Sequence, residues 1–229
     1  MNFPTIFHHP LPLENGDRLT RVEFESRYEA MPHVNKAELI EGRVYMASPL
    51  RFESHARPHA LIMGWLATYY AATPGVQLAD NATVLLDMDN EPQPDALLRL
   101  PESVGGKSRL TEADYLEGAP ELIVEVAASS ASYDLYEKRQ VYRRNGVQEY
   151  VVWSVYEKRL DWWALKEGEY VALTRDAENI IHSEVFPGLV LDVSALLEGN
   201  LAKVLTQLHL GLRAVEHEEF VKYLAQFCS

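Results

Sequence analysis

Positive charge and cysteine are what this sequence has little of. Its 229 residues carry 21 lysines and arginines against 34 aspartates and glutamates, for a net charge of −13. Coating a phosphate backbone regardless of its sequence requires an excess of basic side chains. That mode is therefore excluded for the surface as a whole, while a local basic groove is not. The single cysteine, Cys228, cannot close an intramolecular disulfide, and beside the C-terminus it reads as a bystander thiol in a reducing cytoplasm. No apolar run approaches a membrane span, and Met1-Asn2-Phe3-Pro4-Thr5 lacks a basic region followed by an apolar one. A cytoplasmic protein without a membrane partner is the expectation. The sequence also has no glycine-rich phosphate loop, no Gly-x-Ser-x-Gly elbow and no dinucleotide fingerprint. His55 and His59 are four residues apart, but Pro58 intervenes and no cysteine or third histidine is suitably spaced, which argues against structural zinc.

What is present is a foldable core: 47% of residues are hydrophobic, enough for one sizeable domain with appended elements. Residues 1–18 read as an irregular arm containing Pro4, Pro10, Pro12 and Gly16. Thr20-Arg21-Val22-Glu23 matches a capping box and predicts a short helix to about Tyr28. Glu38 to Met46 reads as two strands around a Glu-Gly turn, with Glu41-Gly42 at the tip. Pro58 suits the first turn of a helix whose apolar stripe is Leu61, Ile62, Trp65, Leu66 and Tyr69. Thr83 to Asp87, Asp95 to Leu100 and Leu122 to Ala127 are strand candidates, and Glu102 to Gly118 reads as a surface loop with a short helix. A helix over 133–144 ends near Gly146. A hairpin then follows from Val147 to Leu165 around Tyr156-Glu157-Lys158. From Leu201 the pattern changes to an amphipathic helix or helix pair marked by Leu201, Val204, Leu205, Leu208, Leu212 and Val215.

The chemistry concentrates in Asp95, Glu125 and Lys138. Leu122 to Ala127 is apolar except for Glu125, as in a strand buried on both faces. A lone carboxylate there is costly unless a metal or a cation balances it. Asp95 follows Pro94, which favours extended backbone at a strand start. Alone it reads as a turn aspartate, but paired with Glu125 across adjacent strands it offers hard oxygen ligands for a divalent cation. Lys138 lies four residues after Asp134 on one helix face, where it makes either a solvated ion pair or an ammonium directed at a phosphate. Arg139, Arg143 and Arg144 make the same helix locally basic, suited equally to solvent and to a phosphate backbone.

The ordered series Glu38-Leu39-Ile40-Glu41-Gly42-Arg43-Val44-Tyr45-Met46-Ala47-Ser48-Pro49, His55, Pro94-Asp95, Ala119-Pro120-Glu121-Leu122-Ile123-Val124-Glu125-Val126, Asp134, Lys138, Tyr142 and Gly146 to Trp153 resembles the Uma2 group of restriction-endonuclease-like proteins. That group is placed in the PD-(D/E)XK nuclease superfamily. The resemblance covers roughly residues 19–195. It implies an α/β (α+β) fold, a mixed central sheet flanked by helices, with an appended C-terminal helical segment. The chain then divides into an arm (1–18), a nuclease-like domain (19–199) and a helical extension (200–229). Asp95 and Glu125 match the two acids of the superfamily signature, but Ala127 stands where its lysine belongs. Lys138, on the following helix, matches a migrated lysine. Glu38 or Glu41 is a further acid, with the choice open.

The expected activity is that of a Mg²⁺- or Mn²⁺-dependent DNA endonuclease. Asp95, Glu125 and the Val126 carbonyl would hold the metal, and Lys138 would orient water or stabilise charge on the phosphorane. A homodimer is expected, because cutting both strands needs two sites and the stripe of 201–212 needs a partner. The alternative is a catalytically silent binding or regulatory module, favoured by the net charge and by Ala127.

Overall fold

The computed structural model describes residues 10–47, 49–128 and 133–227. Cys228, Ser48 and Ser132 lie outside the described residues, as does the first half of the N-terminal arm, residues 1–9. Helix α1 (Arg21–Glu29) starts where the capping box places it: Thr20 is extended and its hydroxyl accepts the Glu23 N–H at 3.4 Å. Strands β1 (Ala37–Ile40) and β2 (Arg43–Met46) form a hairpin. Its two-residue loop has both central residues at positive φ, Glu41 at 52° and Gly42 at 66°. That is the backbone twist a tight hairpin needs, and glycine at the second position adopts it without steric cost. This hairpin packs with α1 around Phe24, Leu39 and Val44.

A π-helical turn, Phe52–Ala56, leads into α2 (Arg57–Ala72), with Pro58 in its first turn. Then come β3 (Gln77–Asp80), β4 (Val84–Leu85), β5 (Ala96–Arg99), β6 (Arg109–Leu110), β7 (Leu116–Glu117) and β8 (Leu122–Ala127). A second π-helical turn, Asp134–Lys138, runs into α3 (Arg139–Asn145), which Gly146 ends at φ 83°. Strands β9 (Glu149–Ser154), β10 (Arg159–Lys166), β11 (Glu169–Ala172), β12 (Ile180–His182) and β13 (Val190–Asp192) follow. Helices α4 (Val193–Leu197), α5 (Leu201–Gly211) and α6 (Val215–Ala225) complete the order.

The central sheet has six strands in the order β11-β10-β9-β8-β5-β3. Strands β8 and β9 pair in parallel and every other neighbouring pair is antiparallel. Every residue of β8 and β9 is buried, because helices cover both sheet faces. One face packs on α2, α4, α5 and α6 through Trp65, Leu66, Val124, Leu196, Leu208 and others. The opposite face carries Leu97, Ile123, Ala127 and Tyr150, with Tyr142 of α3 packed on them. The mixed sheet flanked by helices is as the sequence implied.

Three local readings need correction. Residues 102–118 hold a 3₁₀ turn, Glu102–Val104, and a β6–β7 hairpin whose β7 also pairs in parallel with β4. Two-residue strands are too short to show an alternating pattern. The strand expected over Thr83 to Asp87 contracts to Val84–Leu85. Strands β3 and β12 went unread: β3 is an edge strand with exposed ends, and β12 has three residues.

The C-terminal segment is a helix pair. The apolar stripe of α5 is covered by its own chain: Val204 and Leu208, with Leu224 of α6, are fully buried in the principal core. The His217 ring ties α6 down by hydrogen-bonding the Leu212 carbonyl and the Thr73 hydroxyl at the end of α2, both at 2.9 Å. The stripe therefore no longer calls for a second subunit. Leu208→Ala should lower the unfolding free energy by about 2–5 kcal/mol, seen as a lower urea midpoint at unchanged slope. A loss under roughly 1 kcal/mol would detach these helices from the core.

Candidate active site

Strands β5 and β8 are antiparallel neighbours in which Ala96 faces Val124 and Leu97 faces Ile123. One step further in the same register sets Asp95 opposite Glu125. Alternation puts both on the sheet face that carries Leu97 and Ile123, beneath the helical turn that bears Lys138. The two acids line one cleft of about 580 Å³, together with Lys36, Glu38, Tyr45, His55, Tyr133 and Lys138.

Each acid is buried and held from several sides. Asp95 Oδ2 accepts the Val126 N–H at 2.8 Å and lies 3.3 Å from His55 Nε2. Its Oδ1 lies 3.1 Å from Lys36 Nζ, and its main-chain carbonyl 2.9 Å from His59 Nε2. Glu125 Oε1 accepts from Lys138 Nζ at 2.9 Å and from the Tyr142 hydroxyl at 2.8 Å. Lys138 Nζ also donates to Glu38 Oε1 at 2.8 Å and stands 3.7 Å from Asp134 Oδ1. The four-residue spacing of Asp134, Lys138 and Tyr142 along this helical stretch brings all three to the same side. Lys138 is 2% exposed, so the solvated ion pair is ruled out and the ammonium does reach the carboxylates.

The surroundings drive the two acids apart. Burial penalises the Asp95 carboxylate. The His55 hydrogen bond, the Lys36 and His55 charges and the Val126 N–H outweigh that penalty and hold it well below the usual range. Burial dominates at Glu125. Lys138 opposes it, while Asp95, Asp134 and Glu38 reinforce it, so its pKa is pushed up to about 8. Burial works against the charge of Lys138 as well, but Glu125, Glu38 and Asp134 overcome it and raise its pKa. Two neighbouring carboxyls with opposite shifts are a frequent property of reaction sites.

Comparisons with known proteins place the chain in a family. The profile of the family described as "Uma2: Putative restriction endonuclease" matches residues 23–194. The chain belongs to the Uma2 family. A crystal structure titled as a putative nuclease belonging to DUF820, from Anabaena variabilis, superposes with a TM-score of 0.56 at 13% identity, covering 72% of this chain and 90% of that one. At that identity the likeness speaks for the fold. No curated protein matches this chain.

Within this Uma2 protein, of the two further candidate acids Glu38 lines the cleft and Glu41 does not. Glu38 is buried, and its Oε1 also accepts the Gln93 N–H at 2.7 Å, whereas Glu41 is half-exposed and pairs with Arg144. The basic helix face is engaged internally. Arg139 lies over the Trp163 ring, Arg143 bonds Gly168 and Glu169, and Arg144 meets Glu41. Sequence reasoning missed Lys36 and mentioned Tyr142 without a role. Both had a signal: Lys36 stands two residues before Glu38, on the same side of extended chain, and Tyr142 four residues after Lys138.

The donor set suits a hard ion of open coordination. Among the described residues no cluster of three His, Cys, Asp or Glu side chains is arranged to hold a metal. Two carboxylates can supply only part of a divalent cation's oxygen shell, the remainder coming from water and substrate oxygens. His55 Nδ1 is buried and has no hydrogen-bond partner among the described residues.

Glu125 also sets a pH dependence. Its folded pKa lies above the unfolded 4.5, so the native state keeps a proton that the unfolded chain releases. Its stabilising contribution is complete below 4.5 and is lost as pH rises through about 8. In chelator, wild-type stability should therefore decline across that window, and Glu125→Gln should flatten the decline. The same slope in both proteins would deny Glu125 the retained proton.

Proposed function

We propose that this protein is a metal-dependent DNA endonuclease that hydrolyses phosphodiester bonds. The observation that carries this reading is the pairing of Asp95 and Glu125 across β5 and β8 in one cleft, with Lys138 bonded to Glu125. In this reading Asp95, Glu125 and the Val126 carbonyl hold Mg²⁺ or Mn²⁺. The ion, when bound, supplies charge neutralisation at the phosphate and activation of water. The protein's own contribution is preorganisation. Asp95 is kept ionised by the Val126 N–H, His55 and Lys36. Glu125 is oriented by Tyr142 and Lys138, and Lys138 adds positive charge behind the site where a phosphorane would develop. The substrate is DNA, and cutting both strands of a duplex requires two such sites, hence a homodimer in a cytoplasmic setting.

A second reading is a catalytically silent module of the same fold. It is favoured by one observation: the acids are already neutralised by Lys36 and Lys138, with Ala127 at the usual lysine position.

Calorimetric titration with Mn²⁺ separates the two. A nuclease binds the ion, and Asp95→Asn or Glu125→Gln should each weaken binding by more than the roughly 10–100-fold typical of changing a ligand's outer partner. Both variants should fail to nick plasmid DNA. Wild-type protein without Mn²⁺ affinity would favour the silent module. Sedimentation at micromolar concentration should show a dimer, and a monomer would confine the activity to one strand at a time.

A further inference from the structure

Two lysines reach the acids of this cleft, and they differ in what they have left to give. Lys138 is enclosed. Its three N–H groups face Glu38, Glu125 and Asp134 at 2.8, 2.9 and 3.7 Å, and its ammonium also lies over the Tyr133 ring. Using it on a substrate would strip a buried carboxylate of its counter-charge.

Lys36 is placed differently. It precedes β1 and lines the cleft with 23% of its side chain exposed. Its Nζ donates to Asp95 Oδ1 at 3.1 Å and to Asn81 Oδ1 at 2.9 Å. An ammonium has three donors, so one remains without a protein partner among the described residues. Asp95 Oδ2 is already taken by the Val126 N–H and His55, so Oδ1 is the oxygen a cation would take, and Lys36 stands on it.

We propose that Lys36 is the catalytic lysine of this site: its ammonium rests on Asp95 Oδ1, gives way when a divalent cation takes that oxygen, and turns to the scissile phosphate. Asn81 is the positioning residue that keeps it at the cleft. The inference rests on the nuclease reading, and it makes Lys138 the support of Glu125. The flexible four-carbon stem permits a short swing without backbone movement. The ammonium thereby fills the chemical place left empty by Ala127, from the residue just before β1.

The test compares wild type, Lys36→Met and Lys36→Arg in three measurements: Mn²⁺ affinity by calorimetry, Mn²⁺-dependent binding of a short oligothymidylate, and nicking of plasmid DNA. Lys36→Met removes a competing cation, so Mn²⁺ should bind about three- to tenfold more tightly. The same variant should bind the oligonucleotide more weakly in Mn²⁺ and nick about 10²–10³-fold more slowly, the cost of losing one charge-stabilising donor. Lys36→Arg should return both affinities towards wild type. A merely structural lysine would not move metal and oligonucleotide affinity in opposite directions. Unchanged or weaker Mn²⁺ binding by Lys36→Met, or wild-type oligonucleotide affinity in that variant, overturns the assignment. If Lys36→Met does not fold, Lys36→Arg with wild-type Mn²⁺ affinity but no oligonucleotide binding overturns it as well. Failure of the underlying nuclease reading looks different: wild-type protein would show no Mn²⁺ binding, or its Asp95→Asn variant would bind Mn²⁺ as tightly as wild type.

Discussion

A single ammonium, that of Lys138, determines how the acids in this fold can coexist. Three carboxylates, Glu125, Glu38 and Asp134, lie within 4 Å of it, and all four groups are buried. Each of these groups that stays charged costs several kcal/mol to remove from water, and Lys138 opposes the protonation that burial imposes on Glu125. The elements that supply these groups are far apart in sequence: β1 gives Glu38, β8 gives Glu125, and the π-helical turn gives both Asp134 and Lys138. The salt-bridge cluster thus fixes the hairpin and the helix against the central sheet. A site that needs acids of different proton affinity follows from this arrangement, because Glu125 sits deep within the cluster while Asp95 sits at its edge.

The register of β5 and β8 does the complementary work. Antiparallel pairing places Asp95 across from Glu125, and the Val126 N–H, free of the β5 ladder at that point, donates to Asp95. A one-residue slip between the two strands would turn one of the two acids to the opposite face, which is filled by Trp65, Leu66 and their neighbours. Core packing therefore protects the geometry of the site. The C-terminal helices contribute to that packing, since α5 covers α2 and β13 through Val204 and Leu208.

Much of this was legible in the sequence, for identifiable reasons. Glu125 stood out because one acid in six buried strand residues has to be balanced, and the capping box at Thr20 and the Glu41-Gly42 turn each carry a local chemical signature. The pairing of Asp95 with Glu125 needed more, namely that their strands be neighbours, and the family resemblance supplied it. Lys36 was only weakly legible: its two-residue spacing puts it on the same side as Glu38, but a lysine before a strand ordinarily extends into solvent, and its contact with Asp95 joins residues 59 apart. The short strands β6, β7 and β12 carry too few residues to reveal a period. The stripe of α5 read correctly as apolar, but its partner could be found only in the tertiary fold, where it proved to be the same chain. The three helix arginines show the converse problem, since basic residues on one helical face look alike whether they await a phosphate or, as here, bond to Glu169, Glu41 and Trp163.

The central claim is that Asp95 and Glu125 share one divalent cation. Diffraction from a crystal soaked in Mn²⁺, recorded at a wavelength where manganese scatters anomalously, addresses it directly. The account predicts one strong anomalous peak between the two carboxylates, about 2.0–2.6 Å from an oxygen of each, with the Lys36 ammonium displaced from Asp95 Oδ1. A map without a peak in the cleft, with Lys36 still on Asp95, would contradict it.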